Sequence, residues 1–186
     1  MLLLAIGLIL FTGVHLIPAL APGLRASWCG RMGEPGYKGT FSLLLLLGIG
    51  LIVAGWRSIQ PAVIYMLPPA VHHVAMGLLV LAFLLLVVST RQSRLRQWVR
   101  HPQLTGVILW GIAHLLLNGD TRSLLLFGGL TLWAFVEIIA INRREGVWIK
   151  DAVPGWGSEV VTLLITAIVI ALVVVVHPWI AGMPVH

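Results

Sequence analysis

EVVTLLITAIVIALVVVVHPWI, residues 159–180, decides the fold class. After Glu159 it holds no Asp, Glu, Lys or Arg, and about twenty apolar residues in a helix cross the hydrocarbon core of a bilayer. No water is there to bond the backbone, so each peptide group must be satisfied within its own segment, as a helix does. A transmembrane β-barrel would need apolar and polar residues to alternate, and no segment does so. Working outward, five more apolar runs appear at about 2–22, 40–57, 67–89, 101–117 and 121–141. The expectation is an all-α integral membrane protein with six transmembrane helices, forming a single membrane domain over residues 1–186.

Composition agrees. Of 186 residues, 59% are hydrophobic and 10% charged, against roughly a quarter charged in soluble domains. That excludes a soluble enzyme and a disordered tail. Cys29 is the only cysteine, which rules out a disulfide-built module. The first run has no basic stretch before it and is followed by Pro22, Gly23 and Arg25, so it reads as a retained helix and not a cleaved signal. The net charge of +6 does not indicate nucleic acid, because basic residues fall in the gaps between spans, where they meet lipid headgroups. Arg25, Arg31 and Lys38 occupy the first gap, Arg91, Arg94, Arg96 and Arg100 the third, and Arg143, Arg144 and Lys150 the fifth. The second and fourth hold only Arg57 and Arg122. The positive-inside rule then puts the odd gaps in the cytoplasm and both termini outside.

Two stretches resemble each other. GLILFTGVHL (7–16) aligns with GVILWGIAHL (106–115), and TFSLLLLLGI from Thr40 aligns with TRSLLLFGGL from Thr121. With three spans in each half, 1–89 and 90–186, this is the pattern of a 3+3 inverted-topology repeat, although the third and sixth spans do not match. It pairs His15 with His114. Gly7, Phe11 and His15 are spaced i, i+4, i+8, as are Gly106, Trp110 and His114, which puts a flat aromatic and a bare patch on the face carrying each imidazole. A planar macrocycle held by axial imidazoles calls for those features, making His15 and His114 candidate haem-iron ligands with Gly7, Phe11, Gly106 and Trp110 lining the ring. From their positions in the spans, the two imidazoles stand roughly 10 Å apart in height at 1.5 Å per residue. Pro18 removes a helical donor, and the freed carbonyl of Val14 is a candidate to orient His15. The plainer alternative is that both histidines bond neighbouring helices.

His72 and His73, at the start of the third span, are expected to face the interface, with His72 the alternative to His15 as a ligand. His177 and His186 are expected at the outer edge. Arg100, His101 and Glu137 are expected at one depth, as a charge pairing that holds the fourth and fifth spans together. Asp120 is expected to cap the turn before the fifth span. No Ser/His/Asp set, phosphate loop or zinc spacing occurs.

RHPQLTGVILWGIAHLLLNGD, residues 100–120, resembles the signature of the NnrU family of bacterial membrane proteins, and FTGVHL (11–16) and the six-span plan extend the likeness over most of the chain. That resemblance implies residence in the inner membrane and a link to nitric oxide and nitrite metabolism in denitrifying bacteria. The family is in turn similar to the 15-cis-ζ-carotene isomerases, haem-b membrane enzymes whose implicated ligand histidines match His15 and His114. Their cysteine three residues before the second histidine is Gly111 here, so a thiol ligand is lacking. What this implies is haem b as cofactor and, for an enzyme, haem-dependent redox chemistry or isomerisation, on a nitrogen oxide or a lipophilic polyene drawn from membrane lipid. Arg100-His101-Pro102 is similar as well to integral membrane isoprenylcysteine and phospholipid methyltransferases. Their glutamate-rich carboxy-terminal motif is not matched by EIIAINRREGVWIKDAVPGW (137–156), where Glu137 and Glu145 stand apart. A non-catalytic assembly factor is the third alternative. Gly50 and Ala54, four apart, would allow close helix contact in an oligomer.

Overall fold

The computed structural model describes residues 1–182, so the expectation for His186 lies outside the described residues. The helices are α1 (Leu2–Leu20), α2 (Pro22–Arg57), α3 (Ala70–Val88), α4 (Pro102–Leu117), α5 (Thr121–Glu145) and α6 (Trp156–Ala181), with a short 3-10 turn at Arg94–Gln97. Among the described residues, the only strand-like pairing is an isolated bridge between Val63 and Asp120. Five of the helices are long and apolar enough to cross a membrane. The sixth, α4, has 16 residues, a rise of roughly 24 Å against about 30 Å of hydrocarbon.

The first gap is not a loop. α2 begins with Pro22 at its first turn and is helical on both sides of Gly33, whose φ of 70° and ψ of 167° break it in two. Only glycine adopts that conformation without strain, so an exposed segment carrying Arg25 and Arg31 precedes the apolar rod.

Packing runs α2–α1–α5–α4–α3–α6, with α5 in the middle. Glycines set the closest seams. A Cβ on Gly55 would strike the Leu4 backbone, one on Gly7 would lie 2.7 Å from Ile52 N, and one on Gly106 would lie 3.0 Å from the Ala82 carbonyl. Gly7 therefore receives α2 and Gly106 receives α3, two helices that are not equivalent under the repeat. The bare patch on each histidine stripe is filled by a neighbouring helix and leaves no room for a ring.

Each end of the bundle is stitched by polar contacts. Glu159 accepts from Ser93 Oγ at 2.9 Å and from the Arg94 amide at 2.7 Å, and Arg96 pairs with Asp151 at 3.1 Å. At the other end, Asp120 accepts from the Arg122 and Ser123 amides at 3.0 and 2.9 Å, the cap expected from sequence. The Gly119 carbonyl accepts from the Ile64 and Tyr65 amides, strapping the α2–α3 connection across the α4–α5 turn.

Candidate functional site

The site is built on α4. From Pro102 the helix runs without interruption to Leu117, carrying Trp110 and His114 one turn apart. His114 Nδ1 lies 2.8 Å from the Trp110 carbonyl. A carbonyl only accepts, so Nδ1 carries the hydrogen, and Nε2 of the neutral ring keeps its lone pair for another partner. Asn118 Nδ2 donates to the His114 carbonyl at 3.0 Å. The imidazole stacks on Phe127, with centroids 4.3 Å apart and planes 25° apart, and Trp110 meets Phe127 edge-on at 4.9 Å. Phe127 takes part because residues Leu124–Gly128 form a π-helical turn, a distortion that recurs at functional sites. Nothing in the periodicity of the fifth span points to Phe127 or to that turn, and the adjacent Gly128 and Gly129 are the one local irregularity there.

A cavity of about 300 Å³ lies against His114 between α3, α4 and α6. Its walls include Met76, Phe83, Trp110 and Val173, with His72, Asn118 and His177 towards one end. A second cavity of about 350 Å³ under the Tyr65 strap shares His72, Leu117 and Asn118 with it.

His15 repeats the local geometry of His114 in a different setting. Its Nδ1 lies 2.9 Å from the Phe11 carbonyl, so the orienting acceptor is one turn back and not the carbonyl of Val14. The ring sits among Phe11, Trp133 and Phe41, with centroids at 4.4, 5.1 and 5.8 Å. It is not among the residues lining the His114 cavity. The structure thus gathers His114, Trp110 and His72 in one place and sets His15 and Phe11 in another, between α1, α2 and α5.

The charge pairing expected for Glu137 goes elsewhere. Arg100 pairs with Glu145 at 3.6 Å and donates to the Gly146 carbonyl, while His101 Nε2 lies 2.9 Å from Asn142 Oδ1. Both line a polar cavity of about 420 Å³ with Arg96, Trp148 and Asp151. Glu137 is absent from its lining, whose acids are Glu145 and Asp151, paired with Arg100 and Arg96.

The family model described as NnrU protein matches residues 3–185. The chain belongs to the NnrU family. No curated protein and no solved structure matches it. The match runs through both histidine stripes and the cavity of this NnrU-family chain.

The chemistry of the donor set can be tested against haem. Among the described residues, no three His, Cys, Asp or Glu side chains converge as a site for a bare metal ion. A haem brings its own equatorial nitrogens and asks the protein only for axial donors and apolar walls. His114, fixed by a bond at Nδ1 and backed by Phe127 and Trp110, fits that requirement. The volume stands at the lower end of the range for ligand pockets.

Proposed function

We propose that this NnrU-family protein is a six-span protein of the inner membrane, with both termini on the outer side, that binds haem b at the outer end of α3, α4 and α6. His114 would hold the haem iron. His72, from the same cavity, is the second donor that the geometry favours, and His15 is the one that the resemblance to the carotene isomerases favours. The observation that carries the reading is the His114 ring itself, with Nδ1 held by the Trp110 carbonyl and the residue lining a cavity walled by Phe83 and Trp110. Held by these residues, haem would supply electron exchange, and chemistry on a nitrogen oxide or a polyene would require the second histidine to give way. The chain's own part is to hold His114 in one tautomer, wall off water with Phe83, Trp110 and Met76, and admit a small or lipophilic substrate.

The experiment is an absorbance spectrum of the detergent-purified protein, oxidised and then dithionite-reduced. A Soret band with sharp reduced α and β bands supports the reading. A colourless protein, even after haem is added, overturns it. Saturable S-adenosylmethionine binding would then favour methyl transfer, and stoichiometric co-purification with a respiratory enzyme would favour an assembly factor.

A further inference from the structure

Away from the His114 cavity, three buried polar atoms in the part of α5 beyond its π-helical turn lack a hydrogen-bond partner: Thr131 Oγ1, Trp133 Nε1 and Glu137 Oε2. Glu137 is the chemically consequential one. It is 8% exposed, on a helix long and apolar enough to span a membrane. An ionisable residue there is costly and marks function by default. A carboxylate kept for structure would be ion-paired or fully bonded, and this one is not. Arg144, two turns on along the same helix, donates to the Pro18 carbonyl at 2.8 Å and pairs with Glu145 at 3.0 Å. On the other helices packed against α5, the titratable groups are His15 on α1, boxed by Phe11, Phe41 and Trp133, and His114 at the far end of α4. At the near end of α4, Arg100 and His101 are bonded to Glu145 and Asn142. Trp133, one turn before Glu137, turns its indole nitrogen towards the carboxyl without completing a bond.

We propose that Glu137 is an intramembrane proton-binding site, exchanging a proton with water from the end of the bundle that carries Arg143 and Arg144. The ligand is a proton and not a metal ion, because calcium or magnesium needs several oxygen donors and among the described residues no three His, Cys, Asp or Glu side chains gather as a metal site. The step is a proton transfer alone: an O–H bond forms on the carboxyl as one breaks on hydronium, with no change of oxidation state. The ionised form is received by the Trp133 N–H, and the neutral form needs no counter-ion. From Glu137 to Arg144 is seven residues, roughly 10 Å along the axis, a short path to the polar end and a long one to the opposite face.

The test is infrared difference spectroscopy of the full-length protein in lipid, recorded against pH and after exchange into heavy water. The expected result is a carboxylic-acid C=O band that shifts on deuteration, fades as pH is raised and is lost in Glu137→Gln. Absence of such a band from the wild type, or its persistence unchanged in Glu137→Gln, overturns the proposal. Should Glu137→Gln fail to fold, Glu137→Asp must keep a band at a shifted frequency; an unshifted band would equally overturn it. Labelling by dicyclohexylcarbodiimide, which attacks protonated carboxyls in apolar surroundings, gives a second readout by peptide mass, and an unmodified Glu137 under conditions that label other buried acids counts against it. Neither readout depends on haem, so the two proposals fail separately.

Discussion

His15 and His114 have the same sequence context and the same bond from Nδ1 to the carbonyl four residues back, 2.9 and 2.8 Å long. Their surroundings differ. His15 sits among three aromatic rings from three helices, while His114 meets Trp110 and Phe127 and lines a cavity. The helical stripe fixes how an imidazole is oriented, because that is a matter of i to i−4 geometry. The long-range packing decides what stands beside it.

The comparison is most easily broken at the histidines. His114→Ala should abolish haem retention while the protein still inserts, read from the Soret absorbance per protein; retained haem would end the assignment. His72→Ala and His15→Ala should separate in the same assay, the first converting low-spin haem to high-spin and the second leaving the spectrum as it is. The reverse result would move the second ligand into the aromatic box. Phe127→Ala removes the ring beneath His114 and should cost about 3–5 kcal/mol of stability, as large aromatic truncations do, measured by thermal unfolding in detergent. Gly7→Leu would force α1 from α2 and should cost about 1–3 kcal/mol or more, whereas the same change at Gly13, where an added Cβ meets nothing within 4 Å, should cost little. Asp120→Ala removes the α5 cap and should cost about 1 kcal/mol.

Much of this was legible beforehand. The runs of uncharged residues placed all six helices, because hydropathy is a local property, and the Asp120 cap followed from a short-range rule. The family signature at 100–120 was legible in the same way. What escaped depended on contacts distant in sequence. Residues 22–32 looked like a basic loop because their polar residues mask helical backbone, and only Gly33 breaks it. Gly7 and Gly106 looked like space for a cofactor, yet a glycine on a helix face invites another helix as readily as a ligand, and the packing supplied one. Depth alone pairs Arg100 with Glu137, whereas Glu145, in the last turn of α5, takes it. His72 and His177 come from helices far from α4 in sequence, so no spacing rule could have gathered them round His114.

The π-helical turn at Leu124–Gly128 makes α5 two phases of one rod. An α-helix advances by about 100° per residue, so deleting one residue from that turn would restore regular winding and rotate everything beyond it by that angle. Phe127 would stay with His114 only if Trp133 and Glu137 swung away from α1, or the reverse. The extra residue is the phase shift that lets one helix serve both histidine neighbourhoods.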